Sequence, residues 1–131
     1  MTYRSKGSYR PPKYHNAKVK TEEGTFDSRR EYARWMQLRW MERAGLIKDL
    51  DRQVKFLLIP TQREPDIIGP RGGRKPGKLL ESECSYYADF VYTDTETGQK
   101  VVEDTKGVKT EAYMIKRKLM LKEYGIRIKE V

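Results

Sequence analysis

The chain of 131 residues contains one cysteine, Cys84, and one histidine, His15. A single cysteine excludes an internal disulfide and fits a reducing, cytoplasmic setting. One histidine and one cysteine cannot build the usual zinc site, and they argue against Ser-His or Cys-His catalysis. Any catalytic metal must then be held by carboxylates, which points to a hard ion such as Mg2+ or Mn2+. Long apolar runs are missing too. The longest aliphatic run, Phe56 to Ile59, stops at Pro60 and is far too short to span a bilayer. The N-terminus is basic and polar, with no apolar signal segment. Without a basic amphipathic helix that has a clean apolar face, an anionic membrane surface is disfavoured as a partner.

Acid is in short supply. Nineteen Asp and Glu stand against 28 Lys and Arg, for a formal charge of +9. That balance favours a polyanion as partner, nucleic acid being the commonest for a basic domain. A lysine-rich solubilising surface would give the same number. The length argues for one compact domain.

Residues 1–20 carry six cations, three tyrosines and no acid, and Pro11-Pro12 breaks any helix. They read as a flexible basic arm, either tracking a phosphate backbone or merely solubilising the chain. Residues 21–131 form the domain proper. A helix is expected over 26–45, stopped by Gly45. Its apolar positions Tyr32, Trp35, Met36, Leu38, Trp40 and Met41 make no single stripe, which implies broad burial or a second contact surface. Residues 52–59 read as a strand. Residues 61–80, rich in Pro, Gly and Arg, read as a long basic loop containing Arg71, Arg74 and Lys75. A hairpin is expected from 85–94 and 99–106, then a helix over 110–124 with Thr110 as N-cap and Ile115 and Leu119 facing inward, then a strand over 126–130. The fold class is α/β, with the order α-β-β-β-α-β.

The hairpin carries the chemistry. Residues two apart on a strand share a face, so Asp104 and Lys106 point one way and Glu103 and Thr105 the other. On the preceding strand, Tyr87, Asp89 and Val91 are expected on one face. Pairing Thr93 with Lys100 sets Tyr92 opposite Val101 and Val91 opposite Val102, both favourable. The same register puts Asp89 opposite Asp104. Two facing carboxylates repel unless one is protonated or a cation sits between them, and a hard divalent ion resolves the repulsion. Lys106 beside such an ion can orient a water or stabilise charge growing on a phosphate.

Tyr87-Ala88-Asp89-Phe90, followed by Val101-Val102-Glu103-Asp104-Thr105-Lys106-Gly107, resembles the PD-(D/E)XK nucleases. Asp89 falls on the first acid of that motif, Asp104 on the second and Lys106 on the lysine, while Ala88 replaces the proline. The element order is similar to that superfamily's restriction-endonuclease-like core. More narrowly, residues from about Lys13 to Val131 resemble a family of small phage and prophage nuclease-like proteins. That likeness rests on Gly24-Thr25-Phe26-Asp27-Ser28 with Glu31, on Gln53-Val54-Lys55-Phe56, on the hairpin, and on Tyr113 with Lys116-Arg117-Lys118-Leu119. The resemblance implies a Mg2+- or Mn2+-dependent DNA endonuclease in a bacterial host cell, leaving 5′-phosphate and 3′-hydroxyl ends. Junction resolvases and transposon end-cutting nucleases are more distant relatives.

Many members add a first-helix glutamate at the metal. Glu31 is the candidate, although Ser28-x-x-Glu31 is equally a capping box. Arg71, Arg74, Lys75, Lys109, Lys116 and Lys118 are candidate DNA contacts. Gln53 reads as a surface strand residue that could also bond near a metal, and Tyr113 as core or as support for the site. A homodimer would bring two sites to two strands; the small size leaves little room for a sequence-reading module, and the resemblance to junction resolvases implies specificity for branched DNA. The competing readings are a non-catalytic nucleic-acid-binding module and a structural phage or ribosome-associated protein.

Overall fold

The computed structural model describes residues 18–131. The expected basic arm therefore lies mostly outside the described residues. The arm's last residues are not loose, however. Val19–Thr21 (β1) pairs antiparallel with Gly24–Phe26 (β2), with Val19 opposite Phe26. Phe26 is fully buried and Val19 packs beside it. Burial of these two side chains explains why residues 19–20, expected in the arm, belong to the folded domain.

Helix α1 spans Arg29–Arg43. Ser28 caps its start, the hydroxyl accepting from the Glu31 amide at 3.1 Å, which satisfies a donor the helix cannot. Its end is set by Gly45 at φ 77°. The amides of Gly45 and Leu46 donate to the carbonyls of Glu42 and Met41, a left-handed closure that glycine adopts without strain. Trp35 and Leu38 are buried, while Met36 and Trp40 stay exposed. The scattered apolar pattern thus divides into a core face and an uncovered one.

Strand β3 (Ile47–Ile59) begins five residues before the expected strand. The added stretch contains Asp49 and Asp51, poor strand formers. It bulges against its partner between Lys48 and Asp51, with Asp49 at φ 55°. Beyond Ile59 the expected long loop is paired backbone. Gln62–Arg63 (β4) pairs with Leu79–Glu81 (β7), and Ile67–Ile68 (β5) with Arg74–Lys75 (β6). The result is a two-stranded ribbon continuing outward from β3 and β8. Gly77 makes this possible, because a Cβ there would lie 1.9 Å from the Glu64 carbonyl oxygen.

Strands β8 (Cys84–Asp94) and β9 (Lys100–Asp104) form the hairpin. Thr93 pairs with Lys100, Tyr92 with Val101, Val91 with Val102 and Phe90 with Glu103, so the register follows the apolar pairs. Helix α2 spans Glu111–Tyr124, capped by the Thr110 hydroxyl at 3.1 Å from the Tyr113 amide and closed by Gly125 at φ 66°. Its buried residues are Tyr113 and Met120, seven apart on one face. Ile115, expected inward, is exposed, because two residues past Tyr113 carries it about 200° around the helix. Only Lys129–Glu130 (β10) of the last stretch is a strand, parallel to β9. Ile126 and Ile128 pack against the core instead.

The fold is mixed α/β: a mixed four-stranded sheet, β10-β9-β8-β3, with two helices. Phe26, Trp35, Leu38, Ile47, Phe90 and Tyr92 pack together around α1. Phe56, Leu58, Tyr86, Ala88, Val91, Val102, Tyr113 and Met120 pack around α2. No helix among the described residues is long and apolar enough to cross a membrane.

Candidate active site

Strict alternation along β8 fails at one place, and the site lies there. Tyr86, Ala88 and Val91 belong to the α2 cluster, whereas Phe90 and Tyr92 belong to the α1 cluster. The strand's facing therefore slips by one residue at Asp89–Phe90, and Tyr87, Asp89 and Val91 do not share a face as expected. Across the ladder, Gln53 lies between the pairs Arg52–Phe90 and Val54–Ala88, and its φ is 49°. A left-handed residue inside a strand is costly for any side chain but glycine. Here it accompanies a turn of both side chains toward each other.

The Gln53 amide nitrogen donates to Asp89 Oδ1 at 3.0 Å and to Glu31 Oε1 at 3.2 Å. Gln53 thus bridges two acids from different elements. Asp89 Oδ2 accepts from the Thr105 amide at 2.8 Å and its hydroxyl at 2.7 Å. Glu31 Oε2 accepts from the Asp27 amide at 3.1 Å, and Arg52 Nη2 stands 3.9 Å from Oε1. Glu31 therefore takes part in closing the N-terminus of α1 and also faces Asp89. Burial, and then the charge of Asp89, raise its pKa.

Asp104 sits behind this pair. Its side chain is almost wholly buried, Lys106 Nζ lies 3.4 Å from Oδ1, and the Tyr86 hydroxyl donates to Oδ2. Oδ1 has no hydrogen-bond partner. Burial pushes the Asp104 pKa up to about 6, the Asp89 charge adding to the rise while Tyr86 and Lys106 oppose it. Asp104 and Lys106 do share a side, as the two-residue spacing requires. The ladder ends at Phe90–Glu103, and past it the two aspartates turn to different partners, Asp89 to Thr105 and Asp104 to Tyr86. They do not face each other as a directly opposed pair. Among the described residues no three acidic, His or Cys side chains stand together as a metal-holding group.

Asp27, Ser28, Glu31, Asp89, Thr105, Lys106, Gly107, Val108 and Thr110 line a cleft of about 350 Å³. Both N-caps, Ser28 and Thr110, are on its wall, so the positive ends of two helix dipoles open onto it. Lys106 also lies over the Tyr113 ring, 4.7 Å from its centroid. The Tyr113 hydroxyl is buried without a partner.

The other cations lie elsewhere. Arg71, Arg74 and Lys75 are on the ribbon. Lys109 and Arg117 both bind Glu130, at 2.8 and 2.7 Å, and hold its pKa down. Lys116 is half-buried and Lys118 exposed on α2.

Sequence reasoning missed Glu103. It is fully buried, gripped by Arg34 through Nε at 2.7 Å and Nη2 at 2.9 Å, and receives the Tyr92 hydroxyl. The pair ties α1 to β9 immediately beside Asp104. Its one trace in the sequence is the alternation that sends Glu103 to the face opposite Asp104.

No curated protein and no solved structure matches the chain. Residues 11–129 match the family described as a protein of unknown function (DUF1064), and the chain belongs to that family.

Proposed function

We propose that this domain is a divalent-metal-dependent DNA endonuclease with a restriction-endonuclease-like core of the PD-(D/E)XK type. The observation that carries the reading is a single cleft in which Glu31, Asp89, Lys106 and the capped starts of both helices meet. Hydrolysis of a phosphodiester needs negative groups to hold a cation and positive ones to receive the phosphate, and this cleft has both. The donor types suit a hard ion, although among the described residues the three acids are not yet gathered into one ligand set. The donors are all oxygen, Asp104 Oδ1 is buried with no hydrogen bond and only the Lys106 ammonium nearby, and two of the acids have pKa values raised by burial and by Asp89. Glu31, Asp89 and Asp104 would hold Mg2+ or Mn2+. A bound divalent ion would polarise the phosphate and acidify water.

Lys106 orients the attacking water and offsets charge on the phosphate. Thr105 and Gln53 fix the Asp89 carboxylate, and the first turns of α1 and α2 receive the phosphate oxygens. Water attacks phosphorus, the P–O3′ bond breaks, and the products are a 5′-phosphate and a 3′-hydroxyl. Lys116, Lys118 and Lys109 extend the positive field along α2. Two copies joined through the uncovered face of α1, where Met36 and Trp40 are exposed, would place two sites on two strands. Branched DNA is the proposed substrate.

A second reading, a non-catalytic nucleic-acid-binding module, is favoured by one observation: among the described residues the three acids are not gathered into one ligand set. The test is incubation with supercoiled plasmid, linear duplex and a four-way junction in Mg2+, Mn2+ or EDTA. Asp89→Asn and Lys106→Ala should lose cutting and retain binding. Variants that cut like the parent would overturn the site assignment, and binding by the parent without cutting would establish the second reading.

A further inference from the structure

We infer that the ribbon of residues 60–83 lies in the major groove of B-form duplex DNA, an inference that rests on the DNA-directed reading above. From Pro60 to Glu83 every residue is exposed except Gly69 and Gly77, so the ribbon protrudes from the domain with its own backbone bonds as support. Ile67 and Ile68 are 60% and 67% exposed. Adjacent exposed isoleucines on a protrusion are what a contact surface requires and a solvated one avoids.

Charge is sorted along it. Between Ile67 and Leu80 stand Arg71, Arg74, Lys75 and Lys78 with no acid; Glu81 and Glu83 lie at the base, while Glu64 is level with Lys78 and Asp66 directly precedes the Ile67–Lys75 pair. Among the described residues none of these four cations makes a salt bridge. The cationic end is therefore free for a polyanion.

Shape selects which one. Two strands about 5 Å apart fit a groove about 12 Å wide, and a two-stranded ribbon is one of the few elements that do. Cross-strand partners share a face, so Ile67 lies with Lys75 and Ile68 with Arg74. Each face then combines an apolar group for base methyls with a cation for phosphate or guanine. The deep, narrow major groove of A-form RNA admits neither. The tip at Gly69 is sixteen residues from Gln53, at most about 50 Å along the strand. The ribbon can thus reach duplex no more than about one and a half helical turns from the cleft, since one turn is about 34 Å.

The test is fluorescence anisotropy in EDTA with the full chain, using a 30-base-pair DNA duplex, the same sequence as RNA duplex, and the single DNA strand. Two variants are compared: combined Arg71→Ala, Arg74→Ala and Lys75→Ala, which removes charge, and Gly77→Ala, which keeps charge but drives a Cβ into the Glu64 carbonyl. The parent should prefer the DNA duplex. Both variants should weaken that binding at least tenfold, with melting temperatures near the parent's. The charge variant's salt slope should fall by about 0.9 for each phosphate it no longer neutralises. Equal parent binding to DNA and RNA duplexes would overturn the inference, as would duplex binding unchanged in either variant. Because nothing is cut in EDTA, these results stand apart from the fate of the cleft residues.

Discussion

Asp104→Asn should stabilise the fold while removing cutting, and the size of the gain follows from the burial of one carboxylate. In the folded chain the Asp104 pKa is raised from 3.8 to about 6, first by burial. A raised acid binds its proton more tightly in the native state than in the unfolded one. Its contribution to stability is fully present below about pH 4 and is lost as pH rises through about 6. The loss amounts to about 3 kcal/mol once both states are ionised. The side chain is shielded from water, so solvent screening takes little from that figure. Asparagine is neutral throughout and its amide oxygen can still accept from the Tyr86 hydroxyl. Urea denaturation in EDTA at pH 4 to 8 should show the variant gaining on the parent by about 3 kcal/mol across that range, nearly all of it between pH 4 and 7. Mg2+ should then narrow the gap by stabilising the parent alone. A gap that does not vary with pH, or a parent more stable at pH 8, would refute the argument.

Three further outcomes follow from the same geometry. Arg34→Ala leaves Glu103 buried and unpaired and should cost about 3–5 kcal/mol in chemical denaturation, whereas Arg34→Ala with Glu103→Gln should recover much of the loss. Gln53→Gly relieves the left-handed backbone but removes the bridge, so stability should hold while the metal concentration needed for half-maximal cutting rises. Ser28→Ala should cost about 1 kcal/mol through the lost cap with cutting retained below the melting temperature, whereas Glu31→Gln should raise the metal concentration needed for half-maximal cutting. Equal effects of Ser28→Ala and Glu31→Gln on cutting would mean that Glu31 is only a cap.

The parts of the fold written in local chemistry were legible. Ser28 and Thr110 announce helix starts, Gly45 and Gly125 announce ends, and the valine and tyrosine pairs set the hairpin register. What escaped depends on partners distant in sequence. Nothing near Asp89 signals that β8 changes facing there, because the left-handed residue that accompanies the change lies across the ladder at Gln53. The acidic composition of residues 47–51 hid the first part of β3. The ribbon lacks an alternating apolar pattern because both of its faces are exposed, so it resembled a loop. In the candidate site, Glu31, Asp89, Asp104 and Lys106 were legible as acids and a lysine at suggestive spacing, but the divergence of the two aspartates was not. Each is claimed by a hydroxyl, from Thr105 or Tyr86, that spacing alone does not bring near.

The grip of Arg34 on Glu103 has a further consequence. Strand β9 ends in two neighbouring acids, chemically almost interchangeable and delivered to opposite sides of the sheet. Which of them is presented beside Lys106 is a matter of indexing by a single residue. Arg34 recognises the longer acid from the α1 side and so pins the count. Deleting one residue from the turn at 95–99 would pit that pin against the chain, forcing either a bulge or an exchange of the two acids. A sheet could survive the exchange with its apolar pairs shifted, but the wrong carboxylate would then stand beside the lysine.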